Sequence, residues 1–252
     1  MTRLSVNVNK IALLRNQRDI GIPSVLRAAQ MCVEAGAHGI TVHPRPDERH
    51  IRATDVLELD AWLRGVPHVE YNIEGNPFPD FVDLVGKVRP AQVTLVPDAP
   101  GAVTSDHGWN LRAEGERLAP IIAHFRREGI RTSLFMDADS TDWQLARELG
   151  ADRVELYTEP YAKAFSNGDA ARALEQCSTA ARSAQQNGLG VNAGHDLNLL
   201  NLGAFCRIPG ILEVSIGHAL IAEALEEGLP ATVRAYLSIL ETATSPGAPV
   251  HP

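Results

Sequence analysis

The 252 residues are 44% hydrophobic and 21% charged, which excludes a disordered tract or a membrane-embedded chain and predicts a soluble globular protein of one large domain or two small ones. Asp and Glu number 31 against 23 Lys and Arg, a formal charge of −8, which argues against a surface dedicated to nucleic acid or an anionic membrane. Among the basic residues only Lys10, Lys87 and Lys163 are lysines, and the arginine bias keeps phosphorylated substrates in play because the guanidinium forks onto phosphate. Cys32, Cys177 and Cys206 are far apart, with no C-x-x-C, so neither a disulfide framework nor a zinc knuckle is indicated and a reducing cytoplasm fits. The N-terminus lacks a charged segment leading into an apolar one, and no apolar run is long enough to span a bilayer.

Short apolar or alternating runs recur between stretches of helical period. In chain order the predicted pairs are a strand at 4–9 with a helix near 22–36, 39–43 with 53–64, 69–74 with 78–88, and 92–96 with 111–128. There follow 132–137 with 141–149, 153–157 with 169–187, 190–193 with 198–206, and 212–216 with 219–242. Glycines at 36, 129 and 150 read as helix stops before the next strand. Strict alternation over this length implies a parallel sheet, and eight units match a single-domain (β/α)8 TIM barrel over residues 1–241. A doubly wound sheet is disfavoured because no G-x-G-x-x-G follows the first strand. Residues 242–252 are rich in Pro, Gly, Ser and Thr and are expected to form a flexible tail.

A barrel of this kind puts its chemistry at the C-terminal ends of its strands. Those positions carry Asn7 and Asn9, His43, Glu74, Asp98, Asp137 and Asp139, Glu155, His195, and Gly217 with His218. In the second loop Pro44 and Pro46 hold the chain extended, so that His43, Arg45 and His50 can face one site, the histidine moving protons and the arginine holding an anion. Glu74 precedes a glycine, and in a desolvated cleft its carboxyl would rise toward the acid/base range. At the eighth strand the turn at 216–220 enters a helix directly, presenting free N–H groups that suit phosphate. The long irregular stretch at 96–108 has the length and glycines of a closing lid.

In these features the chain resembles the pyridoxine 5′-phosphate synthase family, over about residues 4–240. The resemblance rests on N-x-x-x-I-A-x-L-R-N at 7–16, G-I-T-V-H-x-R-x-D-x-R-H at 39–50, N-x-E at 72–74, and L-V-P at 95–97 with V-T at 103–104. Further anchors are S-L-F-x-D-A-D at 133–139, V-N-A-G-H at 191–195 and I-G-H-A at 216–219. It implies condensation of 3-amino-2-oxopropyl phosphate with 1-deoxy-D-xylulose 5-phosphate into pyridoxine 5′-phosphate, with loss of phosphate and water. It implies no metal or organic cofactor, and a homo-oligomer, an octamer built from dimers. His43, Glu74 and His195 take the catalytic positions. Arg45, His50 and Thr104 fall where the deoxyxylulose phosphate is held, and Asn7, Arg18, Gly217 and His218 where the amino ketone phosphate is held.

The chain departs from the family pattern at four places. Asn9-Lys10 replaces an Asp-His pair, Asp196 stands where a glycine is usual, Pro46 replaces an acidic residue and Glu159 a glycine. Asn9, Lys10 and Asp196 are therefore counted among the substrate-binding residues, with Lys10 expected as a hydroxyl or phosphate contact in preference to a Schiff base. Two other readings stay open at this stage. One is a barrel aldolase or epimerase using His43, Glu74, His195 and His218 as metal ligands, and the other is a phosphate-metabolite binding protein without turnover.

Overall fold

The computed structural model describes residues 1–244. Its strands are β1 (Arg3–Asn7), β2 (Gly39–Val42), β3 (Glu70–Gly75), β4 (Gln92–Leu95), β5 (Arg131–Met136), β6 (Arg153–Tyr157), β7 (Gly190–Gly194) and β8 (Ile211–Ile216). They pair in parallel in chain order, and β8 returns to β1 with Val6 opposite Ile216, closing the barrel. The helices are α1 (Asn9–Arg15), α2 (Val25–Glu34), α3 (Ala53–Leu63), α4 (Pro79–Val88), α5 (Leu111–Arg127) and α6 (Trp143–Glu148). After these come α7 (Glu159–Ser166), α8 (Ala171–Gln186), α9 (Leu202–Phe205), α10 (His218–Glu227) and α11 (Leu229–Thr244).

The (β/α)8 barrel is thus as expected, and three details differ from the sequence reading. The strand predicted at 4–9 ends at Asn7, and Asn9 and Lys10 open α1 instead of closing a strand. The Asn7 side chain fixes that switch, its Oδ1 accepting the Asn9 N–H at 3.0 Å. Helix α7 was unforeseen; Pro160 reads as a breaker, but at the first turn of a helix proline gives up no intrahelical bond. The final helix breaks at Gly228, whose φ of +81° no continuing helix could contain. The last helix runs on through Thr244, three residues into the stretch expected as a tail, and the rest of that stretch lies outside the described residues.

Side chains alternate across the strands between two unlike layers. Leu4 and Val6, Ile40 and Val42, Val93 and Leu95, and Val154 and Leu156 are fully buried in the layer between sheet and helices. Helices contribute Leu59, Leu118, Ile122, Phe125 and Tyr236 to the same core, each also fully buried. The alternate residues meet inside the barrel and are polar. Gln92 of β4 donates to Glu213 of β8 at 3.4 Å, Asn192 of β7 donates to Gln92 at 3.3 Å, and Asn7 of β1 donates to Glu74 of β3 at 3.4 Å. None of these strand pairs are neighbours, so such bonds can only cross the lumen. Where many barrels of this type fill the interior with branched apolar layers, this one fills it with hydrogen-bonded amides, hydroxyls and carboxyls.

Candidate functional site

At the C-terminal mouth of the barrel the strand ends and loops enclose a cavity of about 830 Å³. It is lined by Asn7, Asn9, Lys10, His43, Arg45, His50, Glu74, Thr104, His195, Asp196, Gly217 and His218, all but one of the residues given a catalytic or substrate-binding role from the sequence, whereas the strand-end Asp98, Asp137 and Asp139 are not in its lining. The exception is Arg18. Asn16 ties the end of α1 to the second loop, its Nδ2 donating to the His50 carbonyl at 2.8 Å. The chain then runs outward over the rim, and Arg18 lies with Leu14, Ile20, Ile22 and Pro23 along a separate outer groove.

Each proton-moving candidate is held by its own element. His43 follows β2, and its backbone N–H donates to Asn9 Oδ1 at 2.9 Å, so Asn9 fixes the strand end as well as lining the cavity. His50 accepts the Ile51 N–H at Nδ1, 2.9 Å away, which places the neutral ring's proton on Nε2. Glu74 is 8% exposed; Oε2 accepts from Asn7 at 3.4 Å, and Oε1 from Ser215 at 3.4 Å. His195 projects from the turn after β7, with Tyr157 edge-on at 5.2 Å and Phe135 at 5.8 Å between ring centres.

Burial dominates the electrostatics. It pushes the Glu74 carboxyl up to about 8, reinforced by Asp98 and Glu213 and partly opposed by the Ser215 hydrogen bond. It pushes His43 well below the usual histidine value, and the cationic Arg45 beside it acts in the same direction. His50 falls to about 4, again by burial and then Arg45 and Lys10. His195 is lowered by burial, with Asp196 and Asp98 acting against it. Glu155, deeper in the lumen with Oε2 unpartnered, is raised well above the carboxylate range by burial and by Glu74. At neutral pH the cavity therefore holds a protonated Glu74 beside neutral imidazoles at His43, His50 and His195, a proton donor and proton acceptors facing one space.

The loop at 96–108 is fastened to the second loop by groups the sequence reading undervalued. Asp98 Oδ2 accepts from Arg45 at 2.6 Å and from Ser105 at 2.7 Å. Arg49, which enters the sequence reading only as an anchor of the 39–50 motif, lines the cavity and donates to the Ala102 carbonyl at 2.9 Å. Ser105, Glu155, Tyr157 and Ser215 also face the cavity. Glu155 was visible as a strand end; Ser215 was findable from the strand's two-residue period, two positions before Gly217. Asp196 sits at φ +58°, which explains why glycine suits the position and why aspartate, among the residues most tolerant of that region, can replace it. Among the described residues no three His, Cys, Asp or Glu side chains are grouped closely enough to share a metal ion.

The family model described as "Pyridoxal phosphate biosynthesis protein PdxJ" matches residues 4–242. The pyridoxine 5′-phosphate synthase of Albidiferax ferrireducens is 57% identical over 242 residues, covering 94% of this chain and 96% of that protein. That of Xanthomonas axonopodis pv. citri is 56% identical over 250 residues, covering 96% and 97%. Among solved structures, thiamine phosphate pyrophosphorylase from Pyrococcus furiosus aligns with a TM-score of 0.61 at 14% identity, covering 97% of each chain. Phosphoribosyl anthranilate isomerase from Thermotoga maritima aligns at 0.59 and 13%, covering 96% of this chain and 99% of that one, a likeness of fold alone. The chain belongs to the pyridoxal phosphate biosynthesis protein PdxJ family, whose matched relatives are pyridoxine 5′-phosphate synthases.

Proposed function

We propose that this chain is a pyridoxine 5′-phosphate synthase, condensing 3-amino-2-oxopropyl phosphate with 1-deoxy-D-xylulose 5-phosphate and releasing phosphate and water. The observation that carries the reading is the convergence of Glu74, His43 and His195 on one cavity in complementary protonation states. Addition of the amine to a ketone, enamine formation, expulsion of phosphate and aldol-type ring closure each need a proton delivered or removed. Glu74 starts as the acid; His43 and His195 start as bases and become acids once they have taken a proton. Anionic substrates favour that exchange, because bound phosphate stabilises an imidazolium.

Arg45, His50 and Thr104, with Asn9 and Lys10, hold the deoxyxylulose phosphate. Asn7, Gly217 and His218 hold the amino ketone phosphate, the last two at the amino end of α10, where backbone N–H groups have no helical acceptor, and the Asp196 carboxylate, which repels phosphate, turns away from that group. The loop at 96–108 closes over both and keeps water from the imine intermediates. Arg18 stands apart from this set within one chain. The exposed Leu14, Ile20 and Ile22 beside it support a contact face of a homo-oligomer, an octamer, and light scattering that reported a monomer would refute that. No helix among the described residues is long and apolar enough to cross a membrane, and the protein is proposed to work in the cytoplasm.

The reading is tested by supplying both substrates to chelator-treated protein and following pyridoxine 5′-phosphate by absorbance. Product is expected without added metal. Folded protein that binds either phosphate and yields no product would favour a binding protein, and activity restored only by a divalent ion would favour a metal-dependent barrel enzyme.

A further inference from the structure

The turn that carries His195 has a conformation this stretch of chain would not favour alone. His195 and Asp196 have φ of +88° and +58°, the left-handed region where a Cβ is crowded by the backbone. Two clamps hold them there, one from the junction of β6 with α7 and the other from Asn201 ahead of α9, itself tied to α7. Thr158, fully buried at the junction of these elements, has its hydroxyl oxygen 2.7 Å from the Gly194 carbonyl and 2.5 Å from the His195 carbonyl. Its backbone N–H also donates to Gly194 at 3.0 Å. On the far side of the turn Asn201 Nδ2 donates to the Asp196 carbonyl at 3.1 Å, and the Asn201 carbonyl accepts the Tyr161 hydroxyl of α7 at 2.8 Å.

The consequence is directional. The hydroxyl proton of Thr158 is shared between the two carbonyls that bracket the backbone of His195, so it governs where the imidazole points while standing outside the cavity wall. We infer that Thr158 is a positioning residue for His195, its side-chain hydroxyl holding the left-handed turn that aims the imidazole at the substrates. The inference rests on the proposed acid/base role of His195.

The test compares Thr158→Val and Thr158→Ser with His195→Ala, each in the full-length protein and with rates expressed per folded molecule. Thr158→Val is expected to lower kcat about tenfold or more while KM stays within about twofold, because a displaced proton-transfer group costs rate and leaves binding in place. Thr158→Ser, which restores the hydroxyl, is expected to recover most of that loss. Should the valine methyl unfold the chain against two carbonyls, Thr158→Ala carries the same expectation without a clash. Unchanged kcat in the valine or alanine variant, or a serine variant as slow as either, would overturn the inference. If His195→Ala keeps wild-type turnover, the role of His195 falls and the inference with it. If His195→Ala is inactive while Thr158→Val is fully active, the clamp alone is wrong.

Discussion

Glu74 keeps its proton at neutral pH because burial raises its carboxyl, with Asp98 and Glu213 adding to the effect, and the two further lumen carboxyls, Glu155 and Glu213, are likewise raised chiefly by burial. The same shift bears on stability. With a folded value of about 8 against an ordinary 4.5, the folded state holds a proton that the unfolded chain has released, so this contribution is full below about 4.5 and is lost as pH rises toward 8. Glu74→Gln keeps the shape without the titration, so it is expected to raise the unfolding midpoint more at pH 8 than at pH 5; equal shifts at both pH values would refute it. At this scale the sequence was informative. His43, Glu74 and His195 were legible because each closes an apolar run, whereas Arg49 was not, since nothing in a polar loop says which arginine turns inward to Ala102.

Helix α1 shows what lies between residues and fold. It places Lys10 and Leu13 in the cavity wall, and its last residue, Arg15, pairs with the buried Asp55 of α3 through both guanidinium nitrogens while also reaching the His50 carbonyl. Arg15→Met is expected to destabilise the protein by about 3 kcal/mol in denaturant unfolding, because Asp55 would remain as a buried charge without its partner. A loss below about 1 kcal/mol, the level of an exposed pair, would contradict that account. The element was missed because its apolar residues continue those of β1, so the two merge into one run. Helix α7 was missed because Pro160 and the preceding Glu159 look like a turn. The eight long βα units were legible because their strands and helices differ in period and because glycines such as Gly36 and Gly150, at φ of +108° and +97°, do stop helices.

The whole barrel is organised around a polar interior, with chemistry at one mouth and a bonded seal at the other. Gln92 anchors that seal, accepting from Arg131 at 2.9 Å and from Asn192 at 3.3 Å while donating to Glu213. Gln92→Leu is expected to cost about 3 kcal/mol of stability although it adds apolar surface, because buried partners lose their bonds. Activity per folded molecule should be little changed, the site being at the opposite end; a stabilised variant would show that the seal is not needed. This polarity was only partly legible, since alternation along a strand does not say whether the polar face meets solvent or a closed lumen, and closure is a property of all eight strands together. The most direct test of the central claim is the pH dependence of pyridoxine 5′-phosphate formation by the wild type and Glu74→Gln. The wild type is expected to lose activity as pH rises through about 8, where Glu74 releases its proton, and the variant to show a rate reduced about a hundredfold without that decline. A variant with full activity, or with the same decline, would contradict the assignment of Glu74 as the acid.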